Sequence, residues 1–252
     1  MPIGTLMSAT SPPKSSFSEW GERARQRYGV DYAQRYRRTD DEIRRGALVA
    51  RFGSWLGAVC DSFDGEIAAL DLGCGTGRYF WALRHVRELV GVDVSPSMLA
   101  QAREPVDAGA VTVGRVTLLE GDFLTLPLQA GRFDLAYSIG VLGEHVPFDV
   151  SIARRVHSWL RQGGRFAFTA VHRESFSIPR TLKRRIAEIA MHIAPAGLRQ
   201  RLRQRLLSAG LYVDEEYIRE VLRASEFEIE SLDRHQSDVH LHCLCVARKA
   251  IA

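Results

Sequence analysis

A chain of 252 residues, 46% apolar and 25% charged, can bury one good core, and none of its apolar runs approaches the roughly 20 residues that a membrane span needs. The formal charge is only +4, and it is unevenly spread: residues 173–210 hold nine Arg or Lys against two acids, a local +7, so the rest of the chain carries −3. That distribution excludes a general nucleic-acid-binding surface. The N-terminus lacks a basic start followed by an apolar core, so it does not read as a signal peptide. Its Ser, Thr and Pro content predicts a disordered tail over 1–18. Cys60, Cys74, Cys243 and Cys245 show no framework spacing and read as reduced thiols in a cytoplasmic protein.

In chain order, residues 20–39 place Tyr28, Tyr32 and Tyr36 at i, i+4 and i+8, one face of a helix. Asp40 or Asp41 could cap a second helix to about Cys60, with Ile43, Ala47, Leu48, Phe52, Trp55 and Val59 as its buried stripe. A buried strand (68–73) then runs into Gly73-Cys74-Gly75-Thr76-Gly77, and a helix is expected over 78–86. Strands follow at 89–95, 116–122, 133–140 and 165–171, with a helix at 96–104 opened by Ser95-Pro96. Two strands at 227–235 and 240–249 close the chain. They are too near for a crossover, so they must be antiparallel. Strands alternating with helices at this pitch imply an α/β fold with a mostly parallel sheet covered on both faces.

The glycines carry the chemistry. In such sheets ligands bind at the carboxyl ends of strands, and glycines there let a ligand lie against the backbone. A dinucleotide fingerprint would need its third glycine at position 78, which is Arg78, and no Gly-Lys-Ser/Thr follows. The spacing is Gly-x-Gly-x-Gly behind Asp71, "LDLGCGTG". Here the chain resembles the class I S-adenosylmethionine (SAM)-dependent methyltransferases, and the similarity continues in family order through "VGVDVSPSML" (90–99), "EGDFLTLPL" (120–128), "FDLAYSIGVLGEHVPF" (133–148) and "LRQGGRFAFTAV" (160–171).

The resemblance implies a doubly wound, seven-stranded Rossmann-like sheet with an antiparallel last strand. One domain is expected over 19–252, and the apolar stripes on either side of Pro195-Ala196-Gly197 predict a helical cap inserted at about 172–212. The resemblance also implies SAM as cofactor. Gly73, Gly75 and Gly77 would hold it, with Asp71 orienting the loop. Asp93 would accept the ribose hydroxyls, and Val94 and Met98 would flank the adenine. Asp122 would meet the adenine amino group and the Phe123 amide a ring nitrogen. The fourth strand's end, at Ser138, would receive the methionine ammonium through backbone carbonyls.

Methyl transfer needs an aligned acceptor and, where the acceptor is protic, a base. His145, just past the fourth strand, is the candidate catalytic base, with Glu144 beside it. Tyr28, Tyr32 and Tyr36 would line the cleft from an N-terminal lid. Within the cap, Arg199, Arg201, Arg203 and Arg205 flank a Leu198, Leu202, Leu206 stripe. Three readings stand for it: a solvated cap, a guide for an anionic or lipid-like acceptor, and a patch for peripheral docking on an anionic membrane. "HLHCLC" (240–245) puts His240 and His242 on one strand face and Cys243 and Cys245 on the other, so no metal site is expected there.

The expected function is SAM-dependent methylation of a small molecule at oxygen or nitrogen. Three other readings remain: methylation of RNA or protein, non-catalytic SAM binding, and aminopropyl transfer. Against the first stands "YSIG", which lacks the Pro-Pro-aromatic loop that holds a base amino group. The last would want paired acids where only Glu144 stands. The sequence leaves the oligomeric state open.

Overall fold

A computed structural model of the chain describes residues 17–43, 47–109, 111–177, 211–237 and 240–250. The expected tail, except for residues 17 and 18, and most of the expected basic cap lie outside them. So do the arginines singled out in that cap. No helix among the described residues is long and apolar enough to cross a membrane. Among the described residues seven strands form one sheet, in the order β3-β2-β1-β4-β5-β7-β6. The chain divides into two compact units, residues 1–137 and 138–252.

The first unit opens with α1 (Glu19–Arg27), α2 (Val30–Ile43) and α3 (Ala47–Asp61). The single helix expected over 20–39 is therefore two, parted at Tyr28-Gly29. Gly29 weakens the helix there, and Tyr28 leaves helical geometry with ψ 57°. Helix α2 runs through Asp40 and Asp41, so neither caps α3. The buried stripe of α3 is centred on Val49, Phe52, Leu56 and Cys60, with Leu48 and Trp55 at its margin.

Strand β1 (Ile67–Leu72) is buried at every position, as a strand covered on both faces must be. It pairs in parallel with β2 (Val86–Asp93) on one side and with β4 (Phe133–Ser138) on the other, while β3 (Arg115–Glu120) extends the sheet beyond β2. Chain order thus reverses at β1, the place where open α/β sheets bind ligands.

The helix expected over 78–86 is absent, and the sequence reading is corrected there. Residues 80–82 form one 3-10 turn, Leu83 is extended, and His85 takes a left-handed φ of 56° before β2 starts at Val86, three residues earlier than expected. Residues 73–85 must hold both the glycine turn and the return to the sheet, which leaves no length for a helix. Helix α4 (Pro96–Asp107) has the expected cap, the Ser95 hydroxyl accepting the Met98 N–H at 3.2 Å.

The second unit holds β5 (Leu160–Val171), β6 (Phe227–Gln236) and β7 (Leu241–Lys249), with β7 antiparallel to both neighbours. Helices α5 (Val150–Trp159) and α6 (Glu215–Arg223) start at Asp149 and Asp214 caps. Phe148, Phe166 and Phe168 fill its core, with ring centroids 4.6 and 4.8 Å apart along the series 148–168–166.

Candidate active site

Past β1 the backbone enters the left-handed region at alternate residues: Gly73 (φ 79°), Gly75 (φ 54°) and Gly77 (φ 71°). The Gly73 and Cys74 N–H groups donate to the Val92 carbonyl, and the Gly77 N–H to Cys74. The Gly75 N–H donates to Asp93 Oδ2 at 2.9 Å. The two later glycines serve different ends. A Cβ on Gly77 would strike the Phe80 ring at 2.7 Å, so there the close neighbour is the chain itself. A Cβ on Gly75 would meet only Met98 Cε, at 3.5 Å, so that edge of the loop is open to a ligand.

Asp93 ends β2. Its Oδ1 accepts the Ser95 N–H at 2.9 Å while Oδ2 holds Gly75, so the acid clasps the loop. An ionised carboxylate has about four acceptor sites, more than its backbone partners use. Burial pushes its carboxyl up to about 6, against the pull of the Ser95, Gly75 and Val94 amides. Met98 is buried beside the loop, and Val94 is half-buried. Asp71 is buried in β1 between Gly91 and Tyr137, where burial pushes its carboxyl up to about 8.

Asp122 and Phe123 are both buried in the turn after β3. The Asp122 carboxylate already has partners. Its Oδ1 accepts the Leu124 N–H at 2.9 Å, and its Oδ2 accepts the Ser18 N–H at 2.8 Å and the Ser18 hydroxyl. A Cβ at Gly21 would lie 2.3 Å from the same oxygen, so α1 reaches the acid only because residue 21 has no side chain.

Helix α2 lies along the other edge of the loop. Arg37 reaches the Thr76 carbonyl at 3.4 Å, and the Arg78 guanidinium sits 4.0 Å over the Tyr36 ring. Tyr32 meets Tyr28 edge-on at 5.0 Å and stacks on Tyr36 at 5.6 Å. The Ser95 hydroxyl donates to the Tyr28 carbonyl at 2.6 Å. Burial pushes the Tyr28 hydroxyl well above its usual range.

In the second unit Ser138 is fully buried and the Gly140 N–H donates to Thr169 Oγ1 at 3.0 Å. Beyond it the chain turns sharply, the His145 and Val146 N–H groups both returning to the Val141 carbonyl. His145 Nε2 stands 4.0 Å from Glu144 Oε2, too far for a hydrogen bond. Glu144 Oε1 lies 3.9 Å from His242 Nδ1. Burial pushes the Glu144 carboxyl up to about 7.

Residues 69–164 match the family model of a methyltransferase domain. The chain is similar in structure to magnesium protoporphyrin IX methyltransferase from Synechocystis, with a TM-score of 0.66 at 16% identity over 92% of this chain and 100% of that one. It is similar to an S-adenosylmethionine dependent methyltransferase from Mesorhizobium loti, with a TM-score of 0.52 at 25% identity over 73% of this chain and 91% of that one. Residues 69–164 thus carry a SAM-dependent methyltransferase domain. No curated protein matches it.

The cofactor of this methyltransferase is SAM, and the loop fits it: the edge beside Gly75 is open, and the Asp93 carboxylate keeps acceptor sites for hydroxyl donors. Sequence reasoning missed Ser18, Gly21, Arg37 and Arg78, which tie the methyltransferase's first two helices to the loop and to Asp122. No local pattern could have found them, because their partners are remote in the chain or are backbone atoms.

Among the described residues one further group of metal-ligand types converges: His172, Glu215 and Cys243, with ligand atoms within 4.8 Å. It reads as an ion-pair lock. His172 Nδ1 accepts the Glu174 N–H at 3.1 Å, so Nε2 carries the proton and donates to Glu215 at 2.9 Å. Arg234 grips the same carboxylate with two nitrogens and holds it down to about 2. Burial pushes the Cys243 thiol up to about 12. A guanidinium and a protonated thiol both disfavour a cation there.

Proposed function

We propose that this methyltransferase transfers a methyl group from SAM to a small-molecule acceptor at oxygen or nitrogen. The observation that supports it is the clasp of Asp93 on Gly75 beside the open edge of the glycine loop. When bound, SAM supplies a methyl group on a positively charged sulfur. The chain's own residues then have three tasks. Gly73, Gly75 and Gly77 let the backbone approach, while Asp93 fixes the ribose. Val94 and Met98 pack on the adenine, whose edge meets Asp122 and the Phe123 amide, and the carbonyls at Ser138 receive the ammonium. His145 takes the proton of a hydroxyl acceptor.

A small acceptor is favoured by the end of β4. It reads Ser138-Ile139-Gly140, with Gly140 tied back to Thr169, where a base-methylating enzyme would carry its Pro-Pro-aromatic loop. The test is methyl transfer from labelled SAM to a panel of phenols, carboxylates, amines, lipids and tRNA. Label in a small molecule is the expected result. Label in tRNA alone overturns the reading.

A further inference from the structure

Glu144 follows β4 by six positions and its carboxylate sits between two imidazoles, at 3.9 Å from His242 and 4.0 Å from His145. Neither distance is a hydrogen bond, and among the described residues neither oxygen accepts one. The side chain is only 23% exposed. His242 is more deeply buried, at 5%. Its ring meets His240 edge-on at 5.9 Å, and His240 meets Tyr212 edge-on at 6.2 Å. Burial, His240 and His235 push His242 down to about 4, so it is neutral near pH 7. Among the described residues no Lys or Arg pairs with Glu144. Burial raises its carboxyl toward neutrality.

A buried carboxylate without a donor is costly, and an occupant bringing an N–H and a positive charge removes that cost. The neighbouring rings suit the same occupant, because a cation over or beside aromatic faces is attracted to them. A carboxylate or phosphate occupant would instead face Glu144 as a like charge.

We propose that Glu144 anchors a basic nitrogen of the methyl acceptor and takes its proton, so that the acceptor is an amine or nitrogen heterocycle whose apolar body packs on Tyr212 and His240. The proposal rests on the small-molecule reading above. An ammonium first cedes one N–H proton to the Glu144 carboxylate. The freed lone pair forms the N–C bond as the S–C bond breaks, and that bonding pair leaves on sulfur as a neutral thioether. The product nitrogen keeps the single positive charge. Glu144 ends protonated and returns its proton to water.

The experiment uses the full chain and two probes of equal size and opposite charge, phenethylamine and phenylacetate. Each is titrated by calorimetry at pH 8 with S-adenosylhomocysteine (SAH) bound. The expected result is saturable binding of phenethylamine that weakens 10- to 100-fold in Glu144→Gln, weakens less in Glu144→Asp, and exceeds the binding of phenylacetate. Unchanged amine binding in Glu144→Gln, no saturable amine binding to the wild type, or tighter binding of phenylacetate overturns the proposal. Tighter phenylacetate binding would point to the basic segment as the acceptor guide. SAH is titrated first on every variant. Its failure to bind the wild type overturns the cofactor reading separately, and the probes titrated without it still decide Glu144.

Discussion

Ser18 holds Asp122 with both its backbone N–H, at 2.8 Å, and its hydroxyl. The same hydroxyl caps α1 by accepting the Gly21 N–H at 3.1 Å. The acid expected to read the adenine amino group is therefore engaged by the start of α1, and cofactor must share it or displace Ser18. Ser18→Ala removes one of these two competing donors and the helix cap. The expected outcome is SAH binding tightened several-fold in calorimetry, with folding destabilised by about 1 kcal/mol, typical for a lost cap. Weaker SAH binding would instead make the Ser18 contact part of the bound state.

Asp93 links the loop, β2 and the start of α4 through Gly75 and Ser95. Asp93→Ala should weaken SAM binding by on the order of 2–3 kcal/mol, the scale of a charge-assisted pair. Because burial raises this carboxyl to about 6, wild-type affinity should also fall as the pH drops below that value. Calorimetry at pH 5 and pH 8 checks both. Unchanged affinity in the variant removes Asp93 from the site.

Asp71 is raised from its ordinary 3.8 to about 8 by burial, with the Asp93 charge adding and the Tyr137 hydroxyl opposing. Its native carboxyl prefers the proton, and the unfolded one loses it near pH 4. Its contribution to stability is thus full below about pH 4 and is lost as the pH rises through 8. Asp71→Asn, which cannot ionise, should flatten the fall in melting temperature between pH 5 and pH 9. An identical fall in both proteins would show that the group is ionised in the native state.

Glu215 has the opposite sign. Arg234 first, then its backbone amide and His172, hold its carboxyl down to about 2. Its contribution is present above about pH 4.5 and is lost as the pH falls toward 2. Glu215→Gln should lower the melting temperature at pH 7 and narrow the gap to wild type at pH 3. A gap that stays constant with pH would place the loss in packing.

His145 has no hydrogen bond to Glu144, so the two can be separated by mutation. For a hydroxyl acceptor, His145→Ala should cut turnover on the order of 100-fold with SAM affinity intact. For a nitrogen acceptor, Glu144→Gln should carry the larger loss. Equal, wild-type turnover in both variants leaves only structural roles.

The sequence alone determined the strand–glycine–strand order, the acid after β2, the Ser95-Pro96 helix start and the antiparallel closing pair. Each is set by neighbours a few residues apart, where backbone geometry, capping and turn chemistry act. It misjudged 78–86, because apolar spacing suggested a helix while the crossover had length for only a 3-10 turn and a left-handed His85. It also ran one helix through Gly29, where the chain breaks it in two. Only tertiary structure set Ser18 against Asp122, Arg78 over Tyr36, and Glu144 between His145 and His242. Most of those partners are some forty to a hundred residues apart. Their meeting depends on strand order and helix placement, which the burial of the whole core fixes and no local pattern records.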